Sequence, residues 1–233
     1  MIFKRVPQLQ TPFTGAKSSW YRLRCFPDVE RIQCFQELGS MAAAHKRPHT
    51  FLIDDTNSVY HSTFADEEGI TKACGCPLLP LKSRKKGPAP VSEQGKTDIV
   101  DEAITFFRCN VFFRNFDIKG PADKLLIYLT FYINLSLKKL EGCRTLAEGS
   151  KAILNLGVEN VTIPGESGFP FTGLFSLPQS QQEAELLRDY LKQIREETSG
   201  RLLGVAYRPN GTPNKWWLAF AKRKFMNIAL LDK

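Results

Sequence analysis

The sequence predicts an all-α fold: a compact, irregular helical domain with one central buried helix and packed Pro/Gly-rich loops, behind a disordered N-terminal extension. Three observations predict it. Apolar residues recur at helical spacing in several stretches from residue 98 onward. Capping residues, Gly and Pro punctuate the gaps between those stretches. The composition, 42% hydrophobic and 24% charged over 233 residues, is that of a globular chain and excludes disorder throughout.

Residues 1–58 are read as the extension and 59–233 as the domain. The first 27 residues carry Lys4, Arg5, Lys17, Arg22 and Arg24 with no acid, a composition like that of an organelle transit peptide. No long amphipathic Arg face develops, so a disordered tail, or a stretch foreign to the natural protein, is the preferred reading. Residues 59–97 are loop-rich. Cys74-Gly75-Cys76-Pro77 pairs turn residues with the apolar Leu78, Leu79 and Leu81, and Pro88 and Pro90 hold the next stretch extended.

The first helix is expected over 98–115, capped by Thr97 or Asp98, with Asp101 and Glu102 at its positive end. Its apolar residues, among them Ile99, Ala103, Phe106, Phe107 and Phe112, occupy several faces, so protein covers more than one side. Pro121 opens a second helix reaching about Leu140, with Lys138 and Lys139 at its negative end and Gly142 as its stop. Residues 125–137 are uncharged but include Thr130, Asn134 and Ser136, and fall short of the ~18–20 apolar residues that span a bilayer. This is the candidate central buried helix, and membrane insertion is not expected.

A shorter helix is expected over 146–156, ending at Gly157. Residues 158–178 mix Pro and Gly with Phe and Leu, the pattern of a loop packed on the helices. Ser180 and Glu183 read as a capping box opening a helix that Gly200 ends. A last helix is expected around 215–229, with Trp217, Phe220 and Phe225 inward.

Enzyme signatures are missing. His61 is the one histidine from residue 59 onward, and a lone His in a polar setting reads as a surface residue. Cys74-x-Cys76 is too isolated for structural zinc, and the six cysteines show no framework spacing, so reduced thiols are expected. No phosphate-binding Gly motif occurs. Neither cofactor nor metal is expected.

The charge balance points to binding. A net charge of +8 favours an acidic partner without choosing among nucleic acid, a membrane surface and an acidic protein. Two basic runs are the candidate contact residues: Lys82, Arg84, Lys85 and Lys86, then Lys222, Arg223 and Lys224. Beside Trp216 and Trp217, the second run resembles the basic and aromatic mix of single-strand binders. On a helix, the aromatic residues would face inward and the basic ones outward; a packed helix whose basic outer face meets an acidic protein is the simpler reading.

Several motifs, in order, carry a family resemblance. They are Leu78-Leu79-Pro80-Leu81, Lys86-Gly87-Pro88-Ala89-Pro90, Thr97-Asp98-Ile99-Val100-Asp101-Glu102-Ala103-Ile104 and Asn110-Val111-Phe112-Phe113. Leu126-Ile127-Tyr128, Leu137-Lys138-Lys139-Leu140, residues 163–170, Arg195-Glu196-Glu197-Thr198 and Lys215-Trp216-Trp217 through Phe225-Met226-Asn227 follow. Over 59–233 the chain resembles the actin-related protein 2/3 complex subunit 3 family, while residues 1–57 have no counterpart. The resemblance implies a non-catalytic helical subunit of a cytoplasmic, cytoskeletal assembly that nucleates actin branches. It implies binding to the actin-related protein 3 subunit and other subunits, and to the actin filament through the complex. The alternative is a basic nucleic-acid-binding module.

Overall fold

The computed structural model describes residues 59–66, 69–83, 85–93 and 95–228, so the expectations for residues 1–58 lie outside it. The described chain is mostly helical. A two-stranded antiparallel hairpin, β1 (Lys72–Ala73) and β2 (Cys76–Pro77), precedes five α-helices: α1 (Ile99–Asn110), α2 (Pro121–Leu140), α3 (Leu146–Val158), α4 (Gln181–Ala206) and α5 (Lys215–Leu218). Two 3-10 turns, Ala219–Lys222 and Phe225–Asn227, follow. At the hairpin tip Cys74 and Gly75 both have positive φ, 51° and 69°, the two-residue turn that matches strand twist.

α2 packs against α1, α3, α4, β2 and the C-terminal turns. Leu125, Leu126, Ile127, Leu129, Ile133 and Leu137 are fully buried on it. Three of its buried polar residues are matched internally, Thr130 by donating to the Leu126 carbonyl at 2.7 Å. Tyr132 Oη and Ser199 Oγ of α4 lie 2.7 Å apart, and Asn134 donates to the Phe220 carbonyl at 3.0 Å. The 158–178 loop is packed as expected. Val161, Ile163, Phe169, Phe171 and Phe175 are buried, and the Phe171 ring meets Phe131 edge-on at 5.3 Å.

Four boundaries differ from the sequence reading. α1 ends at Asn110, not near 115, because the buried Asn110 side chain turns to the Tyr60 backbone, donating to its carbonyl and accepting from its N–H, both at 2.9 Å. Gly157 does not stop α3. It lies buried where a Cβ would stand 3.4 Å from the Glu196 Cα, so it permits close approach to α4. Gly200 does not stop α4 either. Thr198, Ser199, Leu202 and Ala206 are fully buried around it and carry the helix on to Ala206. Packing outweighs the ~1 kcal/mol helix penalty of one glycine.

The C-terminal helix is replaced by α5 and the two 3-10 turns, with extended backbone at Arg223 and Lys224 and Met226 at φ 50°. Where the helix breaks, the Phe220 carbonyl accepts both the Arg223 N–H, a tight three-residue bond at 3.0 Å, and the Asn134 side chain. Phe220 and Phe225 are buried as expected, whereas Trp217 is half-buried, stacked on Phe107 at 5.8 Å.

One charge cluster joins distant parts of this fold. Asp98 caps α1, accepting from the Asp101 N–H at 3.0 Å, while Asp101 accepts from the Asp98 N–H at 3.3 Å. Arg201 of α4 grips the fully buried Asp98 with both terminal nitrogens, at 2.6 and 2.8 Å, and reaches Asp101 at 2.9 Å. The Lys82 N–H adds a bond to Asp98 at 2.9 Å. Burial pushes the Asp98 carboxyl up, but Arg201 and the Lys82 and Asp101 N–H groups outweigh it and hold the carboxyl below its ordinary value.

Removing Arg201 strands that buried charge. Arg201→Ala is expected to lose about 3 kcal/mol of unfolding free energy at neutral pH. Because the folded Asp98 pKa is lowered, its contribution is complete above the unfolded value of about 3.9 and is lost as pH falls through the folded value. Urea unfolding across acid pH should therefore show the gap between wild type and variant closing as pH drops.

Candidate partner-binding surface

The first basic run is held against α1 and α4 by its own chain. A parallel bridge joins Leu81 to Val91, with the Leu81 N–H bonded to the Pro90 carbonyl at 2.9 Å and the Ser92 N–H to the Leu81 carbonyl at 3.0 Å. Gln193 of α4 clamps the turn between them, accepting from the Ala89 N–H at 3.0 Å and donating to the Lys85 carbonyl at 3.1 Å. Gly87 makes that clamp possible, since a Cβ there would stand 2.1 Å from Gln193 Oε1.

Two lysines of the run are consumed internally. Lys82 Nζ pairs with Asp101, and Lys85 Nζ with Glu196 at 3.1 Å. Lys86 is exposed and has no ion pair among the described residues. Arg84 lies outside them. The run is thus a fastened loop presenting Lys86, not a comb of cations along a phosphate backbone.

The second run divides differently from the helical expectation. Lys222 and Lys224 are exposed, but Arg223 lies over the Phe112 ring, 4.9 Å from its centroid, and is half-buried. Of the three expected outward, two are outward, because the helix has ended by Arg223 and its side chain turns back. Phe112 also meets Phe220 edge-on at 5.9 Å. The two runs sit at opposite ends of α1, the first at Asp98 and Asp101, the second at Phe107 and Phe112. Twelve helical residues separate those ends by about 18 Å.

His61 is not a surface residue. It is half-buried, with Nδ1 2.9 Å from the buried Asp123 carboxylate and its ring edge-on to Phe116 at 5.5 Å. Cys74 and Cys76 are buried free thiols. Burial, with Glu183 adding to it, raises Cys74 to about 11, and burial raises Cys76 further, so both stay protonated and unreactive. Among the described residues no group of His, Cys, Asp and Glu is arranged to hold a metal, and no helix is long and apolar enough to cross a membrane.

A second turn is fastened in the same way, by an arginine that the sequence did not reveal. Glu166 accepts from the Ile163 N–H at 3.0 Å and receives both terminal nitrogens of Arg188 from α4. Gly165 and Gly168 take φ of 93° and 89°, leaving residues 165–168 exposed on a fixed path beside the exposed Leu177. Two glycines and two prolines signalled a defined backbone there, but not the arginine that anchors it.

These fixed turns and exposed lysines belong to a stretch that comparisons recognise almost throughout. Residues 57–230 match the family model described as P21-Arc, the ARP2/3 complex ARPC3 (21 kDa) subunit. The chain belongs to this family. It is 82% identical over 173 residues to actin-related protein 2/3 complex subunit 3 of Arabidopsis thaliana, covering 74% of this chain and 99% of that one. It is 43% identical over 172 residues to the Schizosaccharomyces pombe subunit 3, covering 73% and 98%, and 44% over 174 residues to that of Dictyostelium discoideum, covering 74% and 99%. Membership in the ARPC3 family makes it a non-catalytic structural subunit of the Arp2/3 complex.

The clamp on the first turn gives a direct check. Gly87→Ala forces Gln193 aside and breaks two hydrogen bonds, with an expected cost of about 1–3 kcal/mol. In a Gln193→Ala background most of that cost should vanish. A double-mutant cycle by urea unfolding reads the coupling.

Proposed function

We propose that this chain supports actin-filament nucleation and branching within the Arp2/3 complex by binding the actin-related protein 3 subunit, in the cytoplasm and on the actin cytoskeleton. The observation that carries the reading is the family match over 57–230, with relatives covered along almost their whole length. Residues 59–233 are the assembling domain, built around α2 as its central helix. Residues 1–58 are an extension dispensable for assembly. Co-purification tests this: tagged full-length chain and a deletion of residues 1–57 should each retrieve both actin-related proteins. Failure of the full chain to do so would refute the proposal.

A structural subunit needs a surface that is already shaped before its partner arrives, since ordering loops on binding costs affinity. Lys82 and Lys85 act in that preparation through their internal ion pairs, as does Arg223 through its ring contact. Lys86, Lys222 and Lys224 remain for an acidic protein surface. Arg84 belongs to the same proposed contact set by its place in the first run.

Reversing Lys86, Lys222 and Lys224 together to Glu should leave the fold intact, because exposed charges contribute little to stability. Incorporation into a reconstituted complex should weaken about tenfold through lost complementarity. Thermal unfolding and a competition assembly assay check the two halves. Including Arg223 in the reversal should, by contrast, lower the melting temperature as well.

A further inference from the structure

Residues 60–64 have no regular structure and are tied to the helices by polar side chains. The Ser62 N–H donates to Asp123 at 2.8 Å. Glu102 of α1 receives the Ser62 hydroxyl at 2.8 Å, the Thr63 N–H at 3.1 Å and the Thr63 hydroxyl. Tyr60 stacks on Phe106 at 5.3 Å. Glu102 and Asp123 are both buried, so every bond to them relies on donors from this segment and its neighbours. Hydroxyl groups suit that task while they keep a proton to give.

Ser62 and Thr63 differ in two respects. Thr63 is exposed, whereas Ser62 is half-buried and also accepts from the Phe64 N–H at 3.3 Å. Three to five residues beyond Thr63 stand Asp66, Glu67 and Glu68, while the residue three beyond Ser62 is Ala65. A run of acids following the acceptor complements a kinase whose substrate groove is basic, and such charge patterns select substrates.

We propose that Thr63 is a phosphorylation site for an acid-directed kinase using ATP, and that the phosphate detaches residues 60–64 from α1 and α2. The γ-phosphoryl group moves from ATP to Thr63 Oγ1. An Oγ1–P bond forms, the bond from the γ-phosphorus to the bridging oxygen breaks, and ADP departs. The hydroxyl proton passes to the kinase's carboxylate base. The donor that served Glu102 then becomes a group of charge about −2 facing a buried carboxylate, where like-charge repulsion expels it. The kinase gains access when residues 60–64 open locally, and the phosphate prevents their return.

The test incubates the full chain with ATP and purified casein kinase 2, an acid-directed kinase, and maps the product by mass spectrometry. One phosphate is expected on Thr63. It should be absent from Thr63→Val, persist in Ser62→Ala and form about tenfold more slowly in Asp66→Lys. Amide hydrogen exchange at Ser62 and Thr63 should accelerate about 100-fold in the modified chain, with α2 unchanged. Phosphate on other residues with none on Thr63, indifference to Asp66→Lys, unchanged exchange, or loss of protection throughout α2 would each overturn the proposal.

Discussion

Arg201 and Asp98 stand 103 residues apart in the chain, and their pairing is the contact on which the rest of the arrangement depends. Asp98 is at once the N-cap of α1, the acceptor for the Lys82 backbone and the buried partner of α4. One carboxylate thereby fixes the start of a helix, the beginning of the basic loop and the position of the longest helix. A buried ion pair adds little net stability over a well-packed apolar alternative, but losing one member is costly. Such a pair gives register: α1, α4 and the 82–90 loop cannot slide past one another without exposing it.

The same device recurs at each loop that matters for the surface. Gln193 holds the basic turn, Arg188 holds the 165–168 turn through Glu166, and Glu183 receives the Gln179 and Cys74 N–H groups, both at 2.7 Å. All three anchors stand on the N-terminal half of α4, five residues apart. The helix therefore serves as a spine whose polar side chains shape irregular backbone, while its apolar residues Leu187, Tyr190, Leu191 and Ile194 fill the core. Members of the ARPC3 family need no catalytic cleft for a structural role. These anchors hold this chain's irregular surface in place.

Much of this was legible in the sequence where the signal is local. The Pro121 start and Leu140 end of α2, the Asp98 and Ser180 caps, and the packed Phe-rich loop follow from spacing and turn chemistry within a few residues. The failures share a cause. Gly157 and Gly200 look like helix ends, yet contacts with another helix, invisible in the local pattern, carry α3 and α4 through them. Ser180 and Glu183 form only half of a capping box, because the Glu183 carboxylate bonds Gln179 and Cys74 in place of the Ser180 N–H. The candidate surface was legible as charge but not as availability. Nothing near Lys82 or Lys85 in sequence announces that Asp101 and Glu196 neutralise them, and nothing near Arg223 announces the Phe112 ring.

The lysines left exposed by this internal pairing are those proposed to face the actin-related protein 3 subunit. Lysine footprinting tests that placement, by acetylating the chain free and assembled and quantifying each site by mass spectrometry. Lys86, Lys222 and Lys224 should lose reactivity on assembly, while Lys96, whose exposed ion pair with Glu93 lies outside the proposed surface, should react equally in both states. Cross-links from the protected lysines should reach acidic residues of the actin-related protein 3 subunit. Equal reactivity of all three lysines in the free and assembled chain would rule that placement out.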